Sequence, residues 1–441
     1  MKMKENLSGK AFVRQIEQGK YMRAVVSLSS PVNRPVLSEA FERAIRDCPF
    51  FDRTLIEKDG GVCYAPHRTD CRIRTLHEEW TITGAPGGDL VHIAAEDKTI
   101  VIGIAHAMTD GFGLNVLCRM VLYHYFCLLD QCDYPKPKEY AADGRIRFDE
   151  EADLLADLAV TESGNKATAG SDQTRKTTPG EECESVLQLQ EAEPFGSATF
   201  VLDADAAQFR RSAKETLHLT DESWSVHNRN LISIGGVSCV FTAHLMARVI
   251  EKVLPQNTKA IGCRFPVNAR SIFGKQTAMR NFSLPQAVLL ARPTRRPDRA
   301  LSVGDADGRL QEGEAEAMLA GLMQQISPER LKEQLLDLRA AIEGKQHLSA
   351  ETAWRFAQTF LVSNGGRIAY EPERGRVTYV GYHYPGFPLM IYLSRNADRQ
   401  FLTITQTFSS DRYVNGLIRE LGAAGITDCS EIDMERLRFK L

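Results

Sequence analysis

The segment from Thr99 to Leu129, TIVIGIAHAMTDGFGLNVLCRMVLYHYFCLL, constrains this chain more than any other. Ile100 to Ala105 is a short apolar run, β-branched enough for a buried strand, and it ends at His106. A turn through Ala107, Met108, Thr109, Asp110 and Gly111 follows. From Phe112 the positions Leu114, Leu117, Val121, Leu122 and Tyr125 share one helical face. A histidine thus stands where a buried strand meets a helix, its backbone fixed by the strand and its ring open to a cleft. With an ordinary pKa of about 6.5, a neutral imidazole accepts a proton from an alcohol or amine near neutral pH. Asp110 is short enough to pair with a cation and lock the loop, and Gly111 is expected to supply backbone angles that other residues resist.

His106, Asp110 and Gly111, in the order HAMTDG, match the H-x-x-x-D-G signature of the chloramphenicol acetyltransferase-like superfamily. The chain resembles its members, which include peptide condensation domains, alcohol acetyltransferases and polyketide-associated acyltransferases. Many members carry a second histidine just before the catalytic one; here that position is Ala105. The resemblance implies an α/β (α+β) fold of two sandwich domains forming a V-shaped pseudo-dimer, with the reaction in an interdomain tunnel. It also implies an acyltransferase in which His106 is the general base.

A chain of 441 residues exceeds most single cores, so two domains are expected, residues 1–194 and 195–441. Before the motif, Tyr21 to Ser29 reads as a strand, Leu37 to Asp47 as a helix ended by Pro49, and residues 50–67 as a hairpin turning at Asp59, Gly60 and Gly61. Leu90 to Ala95 is a further strand. Residues 144–194 are polar, acidic in patches and poor in aromatics, as a crossover between domains would be, with a short helix at Glu150 to Ala159. Beyond it a strand at Ala198 to Leu202 and a helix at Ala204 to Leu217 are expected, then a long helix from Ser233 to Val253. After a strand at Ala260 to Val267 come helices at Gly313 to Gln325, Pro328 to Ile342 and Ala350 to Phe360. Strands in YHYPGFPLMIYLSR and FLTITQTFSS and a helix at Arg412 to Leu421 close the chain.

The resemblance also assigns residues. In PVNAR, Arg270 matches the arginine that pairs with the motif aspartate, and guanidinium suits a buried carboxylate because it holds it by two parallel hydrogen bonds. In MRNFSLPQAVLL, Asn281 and Ser283 are the candidates for oxyanion donors or tunnel-lining groups. Ser363, Asn364 and Gly365, in a segment like the family's S-N-x-G strand, are placed near the channel. Arg292, Arg295 and Arg296, with Arg299 beyond, form a cationic loop suited to donor phosphates. The G-G-x-S run at Gly235 to Ser238 looks like a carrier modification site, but its helix continues as an apolar core element, which makes Ser238 a decoy.

Composition limits the rest. A net charge of −3 gives no reason to invoke nucleic acid, and no eighteen-residue uncharged apolar run is present to span a membrane. The N-terminus lacks the apolar run of a signal peptide, and ten scattered cysteines without a C-x-x-C pair read as reduced thiols, so a cytoplasmic chain without a metal site is expected. No G-x-S-x-G elbow and no P-loop occur. No tightly bound cofactor is implied: the cosubstrate is an acyl-CoA, favoured because no carrier segment is present, or a phosphopantetheinyl thioester on a separate carrier protein. The acceptor is a small molecule, and two fused domains suggest a monomer. The competing reading is a non-catalytic binding or docking module of the same fold.

Overall fold

Strands alternating with amphipathic helices leave each half of the chain one sheet to cover, and the halves solve this by sharing a strand. In a computed structural model, the structure describes residues 6–58, 61–85, 87–141, 146, 148–157, 185–189, 196–291, 313–366, 370, 372, 375–432 and 439–440. The strands of the first half are β1 (Tyr21–Leu28), β2 (Arg53–Lys58), β3 (Gly61–Pro66), β4 (Val91–Glu96) and β5 (Thr99–Ala105). Those of the second are β6 (Gly196–Asp205), β7 (Ile261–Asn268), β8 (Ser283–Ala291), β9 (Phe360–Gly366), β10 (Val377–His383), β11 (Leu389–Asn396), β12 (Arg399–Gln406), β13 (Cys429–Ile432) and β14 (Phe439–Lys440).

The first sheet runs β10-β1-β5-β4, all antiparallel, while β2 and β3 form a separate hairpin. β5 is buried along nearly its whole length on both faces, which is why it reads as an unbroken apolar run. Ile100, Ile102 and Ile104 join the core of the first half, with the helices Arg34–Asp47 and Gly111–Asp130 supplying residues to the same cluster. Val101, on the other face, packs with Val25, Ala94 and Tyr379 against Val201 and Phe401 of the second sheet. The helix Gly111–Asp130 is long and apolar enough to cross a membrane by length and composition, yet eleven of its twenty residues are buried inside the fold.

The second sheet runs β13-β6-β12-β11-β9-β7-β8, with β14 also pairing β6. β9 lies parallel to both β11 and β7, and the remaining pairs are antiparallel. The helix Val237–Val253 packs into this half with thirteen buried residues.

Strand β10 crosses the division expected at 194/195, since it belongs in sequence to the second half and in space to the first sheet. The segment YHYPGFPLMIYLSR is split by Pro385 and Pro388 into the end of β10 and the start of β11, because proline lacks the N–H a ladder needs. Side chains tie the exchanged strand back to its own half: Asn396 Nδ2 donates to Val377 O at 2.8 Å, and Tyr379 shares a 2.8 Å hydroxyl bond with Thr403.

Two expectations change in detail. The long helix begins at Val237 rather than Ser233, because Gly235 and Gly236 take φ of 92° and 79° after a turn at Ile232–Ile234. A side chain at Gly235 would also bring Cβ within 2.2 Å of Asn364, so this glycine permits the close approach of helix and β9. The helix Asp221–Asn230 escapes hydrophobic periodicity because only Trp224 and His227 are buried along it. Within the crossover, residues 154–157 are helical, and residues 158–184 lie outside those described.

Candidate active site

Asp110 caps the helix that the motif opens: its Oδ1 accepts the Phe112 N–H at 3.0 Å. The same carboxylate, 4% exposed, faces Arg270, 2% exposed, in a two-pronged pair of 2.8 Å (Nη1 to Oδ2) and 2.9 Å (Nη2 to Oδ1). Arg270 comes from the segment after β7, so one ion pair joins the two halves. All five guanidinium protons have acceptors: Nε donates to Ala278 O at 2.8 Å, Nη2 also to Arg280 O at 2.7 Å, and Nη1 also to Asn268 Oδ1 at 3.3 Å. Asp110 Oδ2 accepts the Phe282 N–H at 2.9 Å besides. The guanidinium lies 4.4 Å from the Phe112 ring centroid and 5.4 Å from that of Phe282. Such saturation is what makes a buried charge pair tolerable. Thr109 adds a second strap across the halves, donating its hydroxyl to Met279 O at 2.5 Å.

His106 begins the loop that this pair locks, and its ring stays partly exposed at the edge of a cavity. Phe12 stacks on it, centroids 4.1 Å apart and planes at 7°, and Tyr384 meets it edge-on at 5.4 Å. Burial pushes its pKa below the ordinary histidine value, and Arg264 adds to that; its main-chain hydrogen bonds and Asp110 pull the other way. The net effect favours the neutral ring. Asn281 Nδ2 sits 3.1 Å from Nδ1, while Asn281 Oδ1 accepts the Ser283 N–H at 3.2 Å.

The cavity has a volume of about 870 Å³ and is lined from both halves. Ser283, Ser363, Asn364 and Gly365 line it with His106, Asp110, Gly111 and Arg270, so the sequence candidates converge, and Asn281 touches the histidine. Arg292, Arg295 and Arg296 lie outside the described residues. Asn364 is structural as well: Nδ2 donates to Gly235 O at 2.8 Å, and Oδ1 accepts the Gly366 N–H at 2.6 Å. Asn115, one turn into the helix, donates to Gly365 O at 3.0 Å and receives the Tyr382 hydroxyl. Ser238 lines the same cavity from within the helix Val237–Val253. Ala105 is 1% exposed and packed in the core, so the residue preceding His106 does not reach the site.

Two findings depart from sequence expectation. Gly111 takes no left-handed angle, and a Cβ there would meet nothing within 4 Å. Its lack of a side chain keeps the cavity wall open rather than relieving the turn. Phe12, Tyr384 and Asn115, which orient the ring or wall, carry no motif and come from three distant segments; nothing in their local sequence marks them.

Neither a protein-family model nor a curated protein sequence matches the chain. Solved structures do. Polyketide synthase associated protein 5 from Mycobacterium tuberculosis is 13% identical, with a TM-score of 0.58 over 97% of this chain and 97% of that one. TRI101 of F. sporotrichioides, complexed with coenzyme A and T-2, is 12% identical, with a TM-score of 0.59 over 97% and 99%. The starter condensation domain of rhizomide synthetase, in complex with C8-CoA and Leu-SNAC, is 11% identical, with a TM-score of 0.55 over 96% and 94%. The chain shares the two-domain fold of these structures.

Two outcomes follow from this geometry. Asp110→Ala and Arg270→Ala should each cost about 3–5 kcal/mol, and the double variant less than their sum, because either single change strands a buried charge. Denaturant unfolding of the four proteins checks this, and additive losses would show that the two do not act as a pair. Gly111→Ala should fold with stability unchanged or raised by up to about 1 kcal/mol, alanine being the better helix former. Gly111→Leu should fill cavity space and reduce ligand binding; a clear loss of stability in Gly111→Ala would restore the conformational role.

Proposed function

We propose that the chain is an acyltransferase that moves an acyl group from a thioester donor to a hydroxyl or amine acceptor, with His106 as general base. One arrangement carries this reading: an imidazole held neutral by burial, at the edge of a cavity built from both halves, on a loop fixed by the Asp110–Arg270 pair. The fold supports it, since coenzyme A occupies the F. sporotrichioides TRI101 structure and C8-CoA the rhizomide synthetase domain.

The acceptor gives its proton to the neutral imidazole as its oxygen or nitrogen bonds to the thioester carbonyl carbon. The C–S bond then breaks, and the departing thiolate takes the proton back from the imidazolium. Both substrates meet at one ring in a tunnel between the halves, so no covalent acyl-enzyme is needed. Ser283, which lines the cavity, is the assigned oxyanion donor, while Asn281 positions the imidazole. Asp110 and Arg270 hold the loop and relay no proton.

An acyl-CoA donor suits the charges of the cavity. Asp110 and Arg270 neutralise each other, which leaves Arg210 and Arg395, both exposed, as the remaining charged lining residues. Cations of this kind match phosphate groups. A carrier-bound phosphopantetheine is the alternative donor, and a non-catalytic binding module is the alternative function.

Thiol release from a panel of acyl-CoA donors with pooled alcohols and amines tests the reading. His106→Ala should lower turnover by about 10²–10⁴-fold, the contribution of a positioned base. Because the ring must be neutral to act and its pKa lies below the ordinary 6.5, kcat/KM should be level at neutral pH and fall only on the acid side of that value. Turnover that survives the substitution would overturn the base; silence with every coenzyme A thioester, and with carrier-bound ones, would favour the binding module.

A further inference from the structure

Along β7 the side chains alternate. Cys263, Phe265 and Val267 are fully buried in the core of the second half, so Arg264, Pro266 and Asn268 share the opposite face. Pro266 and Asn268 line the cavity that holds His106. Arg264 stands one step further along, about 6.6 Å from Pro266 at strand spacing. It is partly buried, and its guanidinium lies 5.0 Å from the Phe356 ring centroid and 5.5 Å from that of Phe387.

Among the described residues no carboxylate lies within ion-pair distance of Arg264, and its buried Nε has no hydrogen-bond partner. The contrast with Arg270, all five of whose protons are accepted, is complete. The ionisable groups that bear on Arg264 are the hydroxyls of Tyr384 and Tyr392, and the His106 imidazole, whose protonation it opposes. Both tyrosines line the His106 cavity, and Tyr384 packs against the imidazole itself. Aromatic faces stabilise a guanidinium but leave its in-plane donors unsatisfied, and those donors match a carboxylate edge to edge. A single cation among aromatic rings, with no second cation bearing on it, suits a monoanion better than a phosphate dianion.

We propose that Arg264 anchors a carboxylate on the substrate, and that the acyl acceptor is a carboxylate-bearing alcohol or amine. The acceptor role rests on the acyl-transfer reading; the carboxylate site does not. Arg264 neighbours the His106 cavity through Tyr384 and Tyr392, which line it, while the exposed Arg210 and Arg395 line the cavity directly.

Equilibrium binding of benzoate and of its neutral isostere benzamide, followed by ligand-observed NMR titration, tests the site without needing turnover. Wild type should bind benzoate at least ten-fold more tightly than benzamide. Arg264→Gln should lose that preference and Arg264→Lys should keep part of it, with circular dichroism confirming that both variants fold. Equal binding of the two ligands to wild type, or an unchanged preference in Arg264→Gln, would overturn the proposal. Should Arg264→Gln fail to fold, the wild-type preference and its reduction in Arg264→Lys decide alone. A protein that selects benzoate through Arg264 yet releases no thiol from any thioester would refute acyl transfer and leave the carboxylate site standing.

Discussion

The Asp110–Arg270 pair is the interaction on which the site depends. It is made between a helix cap in the first half and the segment after β7 in the second, and every polar contact around it is satisfied. Lone buried charges are costly, so neither residue can relax away from the other without leaving an unpaired ion. The loop from His106 to Asp110 is thereby held by its two ends, by β5 on one side and by the clamp on the other. Thr109 reinforces the closure by reaching Met279 across the same junction.

Holding the loop is only half of what the proposed base requires; the ring must also stay neutral and oriented. Stacking against Phe12 and edge contact with Tyr384 remove water from its faces, and Asn281 meets Nδ1. These partners come from the N-terminal segment, from the residue just after the exchanged strand β10, and from the turn before β8. The imidazole is thus built by three distant pieces of chain, and the exchange of β10 is what brings Tyr384 to it. Both oxygens of Asp110 are engaged by Arg270, so its contribution to the site is geometric in the proposed reading.

Much of this is legible in the sequence, for physical reasons that differ by residue. The strand, histidine and helix at 99–130 announce themselves because a doubly buried strand and a one-faced helix leave strong periodic signals. Arg270, Asn281, Ser283 and Ser363 follow from matched segments, and the structure gathers all four around His106. Helix Asp221–Asn230 stays hidden because it buries only two residues, and the β10 exchange because strand pairing is not written in local pattern. Gly111 matters for a different reason than its place in a turn suggests, since its backbone is ordinary and its missing side chain is what counts. Phe12 and Arg264 have no local mark at all, because a stacking ring and an unpaired cation are defined by their neighbours in space.

The central claim is that the fold keeps His106 as a neutral base, and ¹⁵N NMR of the imidazole across a pH titration measures this directly. The expected result is a ring that is neutral at pH 7 and protonates only below 6.5, because burial and Arg264 both oppose the charge. A His106 ring that carries its second proton at neutral pH would contradict it, since an imidazolium has no lone pair with which to take a proton from an acceptor.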